Sequence, residues 1–146
     1  MQGTSELFEA AERMRAYSYC VYSRFSVGAA ILAEKSDGDR RVFTGCNVEN
    51  SSYGGTICAE RTAAVKAVSE GYTRFIAAAV SGGVQGEDEK GDTFPCGICL
   101  QFMSEFAAPG MTVTLRSGTY PFADLMPKEF DLRQSLIKEP PWKHIH

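Results

Sequence analysis

Two short segments constrain this chain more than anything else in it. Ile57-Cys58-Ala59-Glu60-Arg61-Thr62 and Phe94-Pro95-Cys96-Gly97-Ile98-Cys99 each read as the opening of a helix. Cys96 and Cys99 are three apart, so they are neighbours on one helix face. Helix N-termini carry partial positive charge, which favours thiolates there. Cys58 opens the other predicted helix in the same way. If the two helix ends meet, three sulfurs address one point.

A metal ion suits such a point, and zinc suits these ligands. Zinc takes four ligands in a tetrahedron with sulfur at ~2.3 Å; structural sites close the fourth place with protein, whereas catalytic sites leave it to water. Cys58, Cys96 and Cys99 therefore predict one zinc ion per chain in the catalytic arrangement. Glu60 is two residues from Cys58, a spacing that points away from it in mid-helix. Only at the helix end can both address one point, which suits a general acid/base. Arg61, three residues on, shares the face of Cys58. Its guanidinium would offset the negative charge of three thiolates. Taken singly, C-x-x-C also occurs in redox and structural zinc sites, and Arg61 could be a surface helix residue.

Around these segments the chain alternates between elements. Ser5 to Tyr17 reads as an amphipathic helix, with Leu7, Ala10, Ala11, Met14 and Tyr17 at helical spacing. Ser26 to Ala33 and Arg41 to Asn47 read as two strands of a hairpin across a Ser36-Asp37-Gly38-Asp39 turn. A helix from about Cys58 to Glu70 ends at Gly71. Phe75 to Val80 is an apolar strand, and Gly82 to Thr93, with its glycines and charges, reads as a surface loop. The second cysteine helix opens at Pro95 and ends at Pro109-Gly110. Strands follow over Met111 to Arg116 and Thr119 to Ala123, with a short helix over Asp124 to Phe130. This order predicts a single domain over residues 1–146, a three-layer α/β/α arrangement on one mixed five-stranded sheet. Residues 138–146 form a polar tail, which includes His144 and His146.

Composition sets the outer bounds. At 146 residues and 44% hydrophobic, the chain has the makings of one globular core. Its net charge of -3 argues against a nucleic-acid polymer as partner and for a small neutral substrate. The first residues carry no basic run before an apolar core, and no apolar run reaches membrane-spanning length. The odd count of five cysteines fits ligands in a reducing, cytoplasmic setting better than disulfides, with Cys20 and Cys46 as small buried residues. Asn47 and Glu49 lie two apart and share a face if the strand continues. On spacing alone they read either as a grip for a diol or as exposed strand-end residues.

From about Tyr17 to Leu132 the chain resembles the small, homotetrameric, zinc-dependent cytidine deaminases. The likeness runs through Tyr22-Ser23-Arg24-Phe25-Ser26-Val27-Gly28-Ala29-Ala30, Gly45-Cys46-Asn47-Val48-Glu49-Asn50, Cys58-Ala59-Glu60-Arg61-Thr62-Ala63, Pro95-Cys96-Gly97-Ile98-Cys99 and Leu125-Met126-Pro127-Lys128-Glu129-Phe130. It implies hydrolytic deamination of cytidine and deoxycytidine, with Cys58, Cys96 and Cys99 on zinc and Glu60 carrying protons. It further implies that Asn47 and Glu49 hold ribose hydroxyls, that Phe25 stacks on the pyrimidine and that the backbone around Ala59 reads the base edge. Tyr53 and Phe130 are implied to reach active sites across subunit boundaries of a tetramer. Two positions depart from the family pattern: Leu100 stands where an arginine is common, and Gly54-Gly55-Thr56 replaces a less glycine-rich segment. The alternatives are a deaminase of another nucleoside, a nucleotide or a modified cytosine compound, and a non-catalytic structural-zinc module.

Overall fold

The first strand, β1 (Phe25–Glu34), organises the sheet because both of its neighbours run antiparallel to it. On one side lies β2 (Arg40–Cys46), in register from Gly28 opposite Cys46 to Glu34 opposite Arg40. On the other lies β3 (Arg74–Val84), from Phe25 opposite Val84 to Glu34 opposite Arg74. The computed structural model describes residues 3–135. β4 (Ala107–Leu115) pairs parallel with β3, and β5 (Gly118–Pro121) closes the edge antiparallel to β4. The order β2-β1-β3-β4-β5 is the predicted mixed five-stranded sheet.

This topology places the two cysteine helices. β2 and β3 each run against β1, so they point the same way. α2 (Ala59–Ser69) follows β2 and α3 (Gly97–Ser104) follows β3, so both begin beyond the same end of the sheet. Crevices at the carboxyl ends of strands are where open α/β sheets bind ligands.

Period-two alternation along β1 divides the core in two. Ala29, Ile31 and Ala33 face one side, packed with Ala59, Ala63, Ala64 and Ala67 of α2 and with Cys99 and Met103 of α3. Ala30 and Leu32 face the other, against Leu7 and Ala11 of α1 (Thr4–Met14). The result is the expected three layers. The alanine face lets α2 lie close on β2: a Cβ on Gly45 would stand 2.6 Å from both the Ala59 carbonyl oxygen and the Ala63 nitrogen. That contact seats the helix end carrying Cys58.

Several predicted boundaries move. The amphipathic segment is α1 plus a 3₁₀ turn over Arg15–Tyr17. β3 runs through Ser81, Gly82 and Gly83 to Val84, into what the glycines mark as loop. Pro109-Gly110 does not end α3 but sits inside β4, where the pairing with β3 is irregular between Phe75 and Ala77. The last predicted helix is α4 (Phe122–Leu125), starting and stopping earlier, followed by α5 (Leu132–Ser135). Cys20 and Cys46 are buried and free, as expected. The polar tail 138–146 lies outside the described residues.

Candidate active site

Cys58 and Cys96 are the N-cap residues of α2 and α3, both with extended backbone, and neither side chain caps its own helix. Their sulfurs are thus free to face each other, 3.8 Å apart. Cys99 sits in the first turn of α3, fully buried. All three sulfurs lie within 4.8 Å of one another, and among the described residues no further histidine, cysteine or acidic side chain joins them. A tetrahedral zinc site with Zn–S of ~2.3 Å requires sulfurs about 3.8 Å apart. The donor set and its spacing therefore fit a zinc ion with one place left open. Pro95 precedes the cap rather than starting the helix, which begins at Gly97.

The charges are arranged around that cluster. Hydrogen bonds from the Cys99 thiol and the Arg61 guanidinium bring the Cys58 thiol down to about 5. Cys99, which donates to Cys58 and is desolvated, is pushed up instead. Arg61 Nη2 donates to Cys58 Sγ at 3.5 Å and to the Thr56 carbonyl at 3.2 Å. Its Nε is buried and has no hydrogen-bond partner among the described residues. The guanidinium is therefore fixed against the sulfurs with an N–H unspent. Leu100 packs against the core under α3.

Glu60 is 4% exposed, in the first turn of α2. Burial pushes its carboxyl up to about 7, and the neighbouring Cys58 charge adds to the rise. A carboxyl poised near neutrality can both take and release protons. Ala59, beside it, is fully buried at the start of the same helix.

The segment Asn47 to Glu49 is drawn towards this centre by backbone pairing. Val48 and Ile57 exchange N–H···O bonds at 2.9 and 3.0 Å, so the strand carrying Asn47 and Glu49 runs beside Cys58. Tyr19 pairs with the other edge of Val48, accepting from the Glu49 N–H and donating to the Asn47 carbonyl. Asn47 and Glu49 are both buried, so the strand-end reading of exposed residues does not hold. Asn47 Oδ1 accepts from the Val27 N–H at 2.8 Å and from the Ser18 hydroxyl, and its Nδ2 donates to the Phe25 carbonyl at 2.8 Å. Glu49 Oε1 accepts the Tyr22 and Ser23 N–H groups at 3.1 and 3.0 Å, and Oε2 accepts the Ser23 hydroxyl. These donors hold its carboxyl below the usual carboxylate range, the Ser23 hydroxyl foremost.

Phe25 is 40% exposed and lines a cavity of about 210 Å³ with Gly82, Gly83, Val84, Asp92 and Thr93. Tyr53 and Phe130 stay on the surface. Tyr53 packs edge-on against Tyr22 at 6.1 Å, and the Phe130 carbonyl accepts from Gln101 Nε2. Ser18 and Ser23, which hold Asn47 and Glu49, escape reading from the sequence. A signal for Ser23 exists: its Oγ accepts from the N–H two residues on, at Phe25, the pattern of a serine turn.

Comparison with known proteins places this geometry. The family model "Cytidine and deoxycytidylate deaminase zinc-binding region" matches residues 1–115. A probable cytidine deaminase of Dictyostelium discoideum is 52% identical over 100 residues, 67% of this chain and 61% of that one. The cytidine deaminase of Sporosarcina psychrophila is 44% identical over 110 residues, 75% of this chain and 74% of its own length. Among solved structures, the crystal structure of cytidine deaminase from Mycobacterium tuberculosis superimposes with a TM-score of 0.76 at 36% identity, covering 90% of this chain and all of that one. That from Burkholderia pseudomallei gives 0.74 at 41% identity, covering 89% and all of it.

Proposed function

The chain belongs to the cytidine and deoxycytidylate deaminase family, and from that premise we propose that it hydrolyses the exocyclic C4 amine of cytidine and deoxycytidine. The products are the uracil nucleosides and ammonia, a reaction of pyrimidine salvage in the cytoplasm. The observation that carries this reading is the convergence of three sulfurs beside a buried carboxyl poised near neutrality.

Cys58, Cys96 and Cys99 would hold zinc, and Arg61 would temper the charge of the thiolates. Zinc bound there supplies Lewis acidity, the property that makes water a usable nucleophile near neutral pH. Glu60 then does the proton work, as the corresponding glutamate does in zinc deaminases generally. It takes a proton from the attacking water and delivers it to ring N3, then takes the second proton from the hydroxyl now on C4 and delivers it to the departing amine. Water adds and ammonia leaves, so the atoms balance with no other reactant. Its burial keeps bulk water from short-circuiting these transfers.

On the sugar side, counting donors and acceptors limits what Asn47 and Glu49 can offer. Asn47 has one side-chain N–H left and Glu49 one acceptor position on Oε2, after the bonds already described. A single hydroxyl can satisfy both, which supports accepting deoxycytidine as well as cytidine. Phe25 would stack on the base, and the backbone at Ala59 would read its edge. We further propose a homotetramer in which Tyr53 and Phe130 complete neighbouring active sites; both rings are more than half exposed in the single chain. An apolar groove of about 690 Å³ between α2 and α3, lined by Ile57, Val65, Ile98 and Phe102, supports burial of the surface over these helices in an assembly.

A panel of cytidine, deoxycytidine, cytidine monophosphate and a cytosine-containing oligonucleotide tests the substrate class. Turnover of the two free nucleosides with little on the phosphorylated compounds is expected. Preference for the nucleotide or the oligonucleotide would overturn the reading.

A further inference from the structure

The 20–25 turn has a feature that the nucleoside reading alone does not require. One hydroxyl, that of Ser23, touches both halves of the proposed substrate site. It donates to Glu49 Oε2 on the sugar side and accepts the Phe25 N–H at 3.1 Å on the base side. The same turn adds the Tyr22 and Ser23 N–H groups to Glu49 Oε1. Three donors from two consecutive residues thus converge on a single carboxylate.

The backbone is bent to make this possible. Arg24 has φ 61°, the left-handed region that a non-glycine side chain rarely adopts. It is held there at both ends: its N–H donates to the Cys20 carbonyl at 2.8 Å and its carbonyl accepts the Gln85 N–H at 2.7 Å. The bend folds Ser23 Oγ back onto the Phe25 N–H while Phe25 enters β1. From the other side, Asn47 Nδ2 holds the Phe25 carbonyl. The Phe25 peptide groups are therefore clamped between the two sugar-side residues, with Ser23 as the link to Glu49.

We infer that Ser23 is a positioning residue that fixes the Glu49 carboxylate and the Phe25 backbone relative to each other, so that sugar and base are gripped in one register. It touches no reacting atom and acts through Glu49 and Phe25. The inference rests on the nucleoside reading above. It also explains why a short hydroxyl stands here: alanine cannot bridge the two groups, and threonine can. Ser23 is exposed, so either substitution leaves the core untouched.

The test is steady-state kinetics on cytidine for wild type, Ser23→Ala, Ser23→Thr, Glu49→Gln and the Ser23→Ala/Glu49→Gln pair, with zinc content and melting temperature of each. Loss of a hydrogen bond to a charged group is expected to raise KM about tenfold in Ser23→Ala. Turnover number and zinc content should stay near wild type. Ser23→Thr should restore KM, and the double variant should be little worse than Glu49→Gln, the signature of two groups acting as a unit. A KM rise in Glu49→Gln but none in Ser23→Ala overturns this inference alone. So does a rise that threonine fails to reverse, or one that adds in full to that of Glu49→Gln. An unchanged KM in Glu49→Gln, or a wild type inactive on cytidine, overturns the nucleoside reading and this inference with it.

Discussion

The two ends of the site are built by opposite means. At the metal end, backbone geometry does the placing: Cys58 and Cys96 are helix N-caps, and their sulfurs face one another, with Cys99 and Arg61 beside Cys58. At the sugar end, side-chain networks do it: Asn47 and Glu49 are buried and hydrogen-bonded close to capacity before any ligand arrives. In the proposed reading the first end is open to an ion and the second has its remaining N–H and acceptor position set for a hydroxyl. Losses at the metal end should therefore be all-or-none, and losses at the sugar end graded.

The largest effect should come from Cys96→Ser. Removing one of three sulfurs should abolish stoichiometric zinc and with it all measurable turnover, read by metal analysis and an absorbance assay on cytidine. Glu60→Gln separates the ion from the proton carrier. It should keep zinc while turnover falls by about 10²–10⁴, the usual worth of a positioned acid/base. Zinc loss in that variant would move Glu60 among the ligands. Glu49→Gln should act on KM by about tenfold, with turnover and zinc retained. An equal fall in turnover would erase the contrast between the two ends. Arg61→Lys should have the smallest effect. Lysine keeps the charge but loses the planar guanidinium whose Nη2 donates to both Cys58 Sγ and the Thr56 carbonyl. Zinc should dissociate a few-fold faster under a chelator, about the scale of one weakened hydrogen bond.

The same contrast governs what could be read from the sequence. The metal end was legible because its signal is local: cysteines at fixed spacing on helix starts. The sugar end was not, because a pair two residues apart says nothing about burial, and only long-range pairing of Val48 with Ile57 and Tyr19 turns it inward. The resemblance implies a role for Asn47 and Glu49, but none for Ser18 or Ser23, which hold them. Glycine misled in one place for a physical reason. Gly82 reads as loop, yet it pairs with Val27 in the β1–β3 ladder, and a Cβ there would stand 2.6 Å from Thr93 Oγ1 and 3.1 Å from the Phe25 ring. Close approach of neighbouring side chains, and not a turn, favours glycine at that position. Pro109-Gly110 misled similarly: it interrupts a strand at a point where the pairing is already irregular.

The proposed function stands or falls on three cysteines holding a zinc ion beside Glu60. Its most direct test is an absorbance assay of the purified protein on cytidine, with zinc counted per chain before and after chelation. One zinc per chain, turnover that disappears with the metal, and recovery when zinc is restored are expected. Turnover that survives complete zinc removal, or a fully zinc-loaded protein inert towards cytidine, would contradict it.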